Sequence, residues 1–207
     1  MGKPAALILA VIVLFMVVAG SWFFFLRSKN VEKVSRAGPI IFFGDSLTAG
    51  IGAGESEDFP SVIAKDLNLT NVINAGVPGD TTATALQRLQ QDVLNKKPSI
   101  VLVELSGNDF LGQQPTEDTI NTLDEIVKRI KEGGAAVVLV HIRFPYNGAS
   151  YDTGFKNIAN KYKAKLVWNS LDGIIDNPSL MSDTIHPNAA GYKILAERIE
   201  KVLKELI

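Results

Sequence analysis

From Pro39 onward, short apolar runs alternate with longer stretches of helical period, and few architectures accommodate that alternation. The runs are Ile40–Phe43, Val72–Ile73, Ile100–Leu105, Ala136–Ile142 and Lys165–Trp168. Mostly β-branched or aromatic and short, they predict parallel strands buried on both faces. Helical stretches lie at Phe59–Leu67, Thr81–Asn95, Thr116–Glu132, Gly154–Tyr162 and Ala189–Leu206. Ala85, Leu86, Leu89 and Val93 share one helical face, as do Ile120, Leu123, Ile126, Val127 and Ile130, and Gly133-Gly134 stops the latter helix. The pattern predicts an α/β fold over residues 39–207: a doubly wound, three-layer αβα sandwich around a five-stranded parallel sheet. Ligands of such sandwiches bind beyond the carboxyl ends of the strands, so the residues just after each strand are the functional candidates.

Upstream, Ala5–Leu26 contains no charge over 22 residues. At about 1.5 Å per residue, a helix of that length crosses the ~30 Å hydrocarbon core of a bilayer. Residues 1–26 therefore predict a single-pass transmembrane helix, and the polar, basic residues 27–38 a juxtamembrane linker. The competing reading is a cleaved secretory signal, with Lys3 ahead of the apolar core Ala5–Val18 and small residues at Val17-Val18-Ala19. The apolar run continues past that cut through Trp22-Phe23-Phe24-Phe25, aromatics where an interfacial belt would sit, which favours the anchor.

Charge is split unevenly: residues 1–36 hold five basic side chains and one acidic, leaving 16 basic and 21 acidic in the body. A mildly acidic body without Lys/Arg runs argues against nucleic acid as the main partner, because phosphate neutralisation needs a concentrated positive face. The absence of cysteine excludes disulfides, thiolate zinc sites and a Cys nucleophile.

Four segments carry candidate chemistry. Gly44-Asp45-Ser46-Leu47-Thr48 follows the first strand; its serine is a candidate nucleophile, with simple helix capping as the alternative. Asn74-Ala75-Gly76-Val77-Pro78-Gly79-Asp80-Thr81 is a loop entering a helix, where Gly79 frees a backbone N–H for close approach by a ligand. Ser106-Gly107-Asn108-Asp109 follows the third strand, and Asn108 is a candidate oxyanion donor or a turn residue. Asp183-Thr184-Ile185-His186-Pro187 precedes the last helix and supplies a base with an acceptor for its second ring nitrogen. The other histidine, His141, lies within an apolar run and is read as a strand-end or core residue.

Together these blocks resemble the GDSL, or SGNH, hydrolase family: Ser46, Gly79, Asn108 and His186 stand in family order across essentially Pro39–Ile207. The likeness is greatest to the bacterial thioesterase, lysophospholipase and arylesterase branch, through segments such as Val103–Asp109 and Ile142–Pro145. One departure is Ser106, where that branch usually has glycine, expected to alter packing under Asn108 rather than chemistry. The Gly-x-Ser-x-Gly elbow of α/β-hydrolases is absent. The resemblance implies a flavodoxin-like sandwich, a Ser46–His186–Asp183 triad, and an oxyanion hole of the Ser46 and Gly79 N–H groups with the Asn108 side chain. It requires no metal or other cofactor. Asp45 is assigned to shaping the turn, and Glu104 carries no assigned role.

By the same resemblance, Phe144, Pro145 and Tyr146 flank the acyl group, and their aromatics favour an apolar chain over a sugar. The expected partner is a small-molecule or lipid ester, with the membrane reached through residues 5–26. Two rivals stand beside the esterase: a carbohydrate O-deacetylase, and a non-catalytic binding or assembly domain on the same fold. Arg27, Lys29, Lys33 and Arg36 outnumber Lys3 and the terminal amine, a count that keeps the domain cytoplasmic. The family resemblance and the signal-like start point outward, and the expectation adopted is an extracytoplasmic, periplasmic domain.

Overall fold

The computed structural model describes residues 38–207. The expected anchor at 1–26, and the linker apart from Gly38, fall outside the described residues. Among the described residues no helix is long and apolar enough to cross a membrane.

Five parallel strands form one sheet: β1 (Ile40–Gly44), β2 (Val72–Gly76), β3 (Ile100–Glu104), β4 (Ala136–Val140) and β5 (Lys165–Val167), in the order β2-β1-β3-β4-β5. That is the flavodoxin-like order. The chain steps one way from β1 to β2 and the other way ever after, so right-handed crossovers place helices on both faces. α2 (Phe59–Asp66) packs with α7 (Ala189–Leu203), while α5 (Thr116–Glu132) packs with both α3 (Thr82–Asp92) and α6 (Gly148–Tyr162). The central strands β1 and β3 are buried along their whole length, which is why they show no polar alternation.

The expected elements are present with shifted boundaries. β2 continues through Asn74-Ala75-Gly76, which the sequence assigns to a loop, because pairing with Phe42, Phe43 and Gly44 extends the ladder over residues of low strand propensity. The expected Thr81–Asn95 helix ends at Asp92 and a separate 3₁₀ turn follows at Leu94–Lys96. α6 starts at Gly148, six residues before the expected Gly154, and α7 stops at Leu203 rather than Leu206. Two short helices directly after strands are additional: α1 (Ser46–Ala49) and α4 (Gly107–Leu111). Neither is long enough to show a period in sequence.

β1 and β3 are neighbours, yet their onward connections diverge to opposite sides of the sheet. Their carboxyl ends thus form the topological switch point where ligands of such sheets bind. Ser46 leaves one of these ends and Asn108 the other.

Candidate active site

Ser46 is the first residue of α1, and the turn that presents it is held by Asp45, whose Oδ1 accepts the Leu47 N–H at 3.0 Å. Behind the turn, Thr48 Oγ1 donates to Glu104 Oε2 at 3.0 Å. Asp45 and Glu104 are 2% and 1% exposed, and each carboxyl acts on the charge of the other. Burial pushes Asp45 up to about 6 and, with the neighbouring Asp45 charge, pushes Glu104 well above the carboxylate range. Two neighbouring buried carboxyls do not both ionise readily, and Glu104 is the one whose proton is held the more strongly. Glu104 thereby gains a place, in the support under the nucleophile turn.

His186 Nε2 lies 2.9 Å from Ser46 Oγ, and its Nδ1 lies 2.7 Å from Asp183 Oδ2. The other oxygen of Asp183 accepts the backbone N–H groups of Ile185 and His186, both at 2.8 Å. The imidazole contact, helped by those two N–H groups, draws Asp183 down to about 2. A short antiparallel bridge between Met181 and Pro187 closes the loop, and Asn188 caps α7 immediately behind it. Gly52, with φ +97°, passes so close to Pro187 and His186 that a Cβ would collide with the Pro187 carbonyl, so the 50–54 turn braces the histidine from the other side.

The oxyanion candidates come from three loops. The N–H groups of Ser46 and Gly79 have no hydrogen-bond acceptor among the described residues, and Gly79 adopts φ +85°, where a side chain is strained. Asn108 Nδ2 donates to the Asp80 carbonyl at 2.8 Å and reaches Asp45 Oδ2 at 3.3 Å. Asp109, to which the sequence gives no role, is buried and accepts from Thr82 N at 2.9 Å and Thr82 Oγ1 at 2.6 Å. It joins α4 to the start of α3, so the asparagine and the glycine are carried by two elements linked at this point.

A cavity of about 230 Å³ opens beside Ser46, Asn108 and His186. Phe144 and Pro145 line it, together with Leu47, Ile142, Leu171 and Ile185, and its surface is overwhelmingly apolar. Tyr146, the third expected substrate residue, is not on this wall: it is 77% exposed and faces a neighbouring groove with Leu111 and Asn147. Sequence reasoning missed Phe110, whose ring stacks on Phe144 at 4.3 Å; its position two residues after Asn108 is the signal that could have found it. A larger cavity, about 490 Å³, lies at the opposite, amino-terminal end of the strands against Ile40 and Ile100, away from all of these groups.

His141 is placed elsewhere. It is fully buried, stacked on Trp168 at 4.1 Å, with Nε2 3.0 Å from Asp152 and Nδ1 accepting from Asn169 N at 3.3 Å. Burial outweighs Asp152 and lowers its affinity for a proton. This is the core histidine that its apolar run implies.

Comparison with known proteins agrees with the fold. The model of the GDSL-like lipase/acylhydrolase family matches residues 42–194. The chain is 33% identical to thioesterase 1/protease 1/lysophospholipase L1 of Escherichia coli K12, over 84% of this chain and 88% of that protein. It is 32% identical to an arylesterase of Vibrio mimicus, over 79% and 87%. Among solved structures it resembles a crystal structure of TesA, with TM-score 0.77, 29% identity, and coverage of 82% of this chain and 99% of that one.

Proposed function

The chain belongs to the GDSL-like lipase/acylhydrolase family and is a serine ester hydrolase, and on that premise we propose that it cleaves acyl esters and thioesters through Ser46, His186 and Asp183. The supporting observation is the continuous contact from Ser46 Oγ through both imidazole nitrogens to Asp183. Ser46 Oγ attacks the carbonyl carbon while His186 Nε2 takes its proton; Asp183 holds Nδ1–H and steadies the imidazolium. The carbonyl oxygen becomes an oxyanion facing the N–H groups of Ser46 and Gly79 and the Asn108 amide. His186 then protonates the departing alkoxide or thiolate, and repeats the cycle with water to release the acid.

The apolar wall beside Ser46 favours an acyl chain over an acetylated sugar. Relatives bearing the names thioesterase, lysophospholipase and arylesterase support the same class. The test is an acyl-chain series of p-nitrophenyl esters and acyl-CoAs, run alongside fluorophosphonate labelling. Turnover of chains of four or more carbons with label on Ser46 is the expected result; preference for acetylated glycans selects the deacetylase, and failure to label selects a binding domain. We further propose that residues 5–26 anchor the enzyme in a bilayer with the domain on the extracytoplasmic side. The anchor rests on the apolar, uncharged composition of these residues and the side on the signal-like start and the family resemblance; carbonate extraction of the full chain tests the first and protease accessibility in spheroplasts the second.

A further inference from the structure

Arg88, on the inner part of α3, is only 17% exposed and uses its whole guanidinium. Nε meets Asp80 Oδ2 at 2.5 Å, Nη2 donates to the Gly44 carbonyl at 3.0 Å, and Nη1 reaches Asp92 at 3.1 Å. The guanidinium carbon also lies 4.3 Å from the centre of the Phe43 ring. Thr84 Oγ1 bonds the other oxygen of Asp80 at 2.9 Å, so that carboxylate is held at both ends.

What Arg88 ties together is specific. Gly44 is the last residue of β1, two before Ser46, and its carbonyl also accepts the Val77 N–H at 3.0 Å. Asp80 follows Gly79, and its own carbonyl receives the Asn108 amide. The three oxyanion candidates thus emerge from three segments, and one side chain bridges the two that carry backbone donors while bracing the carbonyl on which the third hangs. We propose that Arg88 is the positioning residue of the oxyanion hole, setting the separation of the Ser46 and Gly79 N–H groups and the seat of Asn108 without touching substrate. The planar fork matters, because contacts to a carboxylate and a backbone carbonyl must be made at once; a lysine ammonium has no fixed fork with which to do so. This role rests on the proposed triad and hole.

The experiment is a double-mutant cycle of Arg88→Met with Asn108→Ala, read as kcat and KM on p-nitrophenyl butyrate, with active sites counted by phosphonate titration. Loss of donor alignment is felt in the transition state, so Arg88→Met should lower kcat about 10–100-fold and move KM less than about 3-fold. Arg88→Lys should recover part of the loss. Asp92→Asn, which removes an Arg88 contact pointing away from the hole, should stay within about 3-fold of the parent, and its melting temperature calibrates the loss of an ion pair. Because Arg88 acts partly through the seat of Asn108 and partly through the two backbone donors, the double variant should be slower than Asn108→Ala alone but by less than the product of the single losses. Fully multiplicative losses, a raised KM with kcat intact, or parent-like kcat in Arg88→Met would overturn the proposal. Should Arg88→Met fail to fold, Arg88→Lys takes its place in the cycle, and the same outcomes support or overturn the role. Ser46→Ala separates the two levels: if it retains turnover, the triad itself is wrong, whereas loss of turnover in Ser46→Ala with parent-like Arg88 variants sinks only the positioning role.

Discussion

Asn108 donates its side-chain amide to the backbone carbonyl of Asp80 at 2.8 Å, so the proposed side-chain donor of the oxyanion hole hangs from the turn that presents Gly79. The same nitrogen reaches Asp45 Oδ2 at a longer 3.3 Å, and that weaker contact is the one an oxyanion can replace. Asn108→Ala should therefore lower kcat by ~10²–10³ and leave KM for a small aryl ester nearly unchanged. Phosphonate labelling of Ser46 should slow but persist. Steady-state kinetics showing a higher KM with kcat intact would make Asn108 a ground-state contact instead.

Ser46 packs no large side chain into the core, and its Oγ bonds only His186 among the described residues. Ser46→Ala should abolish ester hydrolysis, by ~10³-fold or more, while the melting temperature moves by no more than about 2 °C. Near-parent turnover by a folded Ser46→Ala protein would remove the nucleophile assignment.

The two histidines should separate cleanly. His186→Ala should be nearly as damaging to kcat as Ser46→Ala, whereas His141→Gln, changed at a site walled off by Trp168 and Phe155, should keep kcat within about 10-fold and lose stability. Kinetics paired with thermal melts of both variants check this, and the reverse ranking moves the base to His141.

The buried carboxyl pair makes a pH prediction. Unfolded Glu104 titrates at 4.5 and folded Glu104 well above it, so over that window the folded state binds more protons and its stability falls as pH rises. Asp45 adds the same sign between 3.8 and about 6. Glu104→Gln is close in size but cannot ionise, so its melting temperature should fall less than the parent's as pH rises above 4.5. Calorimetry giving parallel curves would mean that Glu104 does not titrate with the fold.

Ser106 is a non-glycine residue at φ +108°, fully buried, and its Oγ has no hydrogen-bond partner among the described residues. The left-handed backbone costs about 1–2 kcal/mol and an unsatisfied buried hydroxyl about 1–3, against at most about 1 for the extra chain freedom of glycine. Ser106→Gly should stabilise the domain by about 1 kcal/mol or more in urea unfolding, with kcat little changed. A destabilised variant would show that the hydroxyl has a partner in solution.

Much of the fold was legible because burial on both faces writes itself into composition: the uninterrupted runs at Ile40–Phe43 and Ile100–Leu105 are what a central parallel strand requires. α5 was legible to the residue, from Thr116 to the Gly133 stop, because its inward face repeats over 17 residues. The extension of β2 through Asn74–Gly76 was not, since a ladder with β1 holds residues that have no preference for strand. Nor was the start of α6, where Gly148–Ser150 carry no apolar period.

By itself the sequence determined the sheet's strands, the separation of the two histidines into a buried one and a loop one, and the local unit of Asp183 with His186, three residues apart and bonded through their own turn. Only the tertiary structure decided that this loop reaches Ser46 across 140 residues, that Glu104 lies under Asp45, that Arg88 spans Gly44 and Asp80, and that Phe144 faces the nucleophile while Tyr146 turns away. The division has one physical cause. Periodicity and turn chemistry are properties of neighbours along the chain, whereas these contacts exist because strand order brings distant carboxyl ends to one switch point.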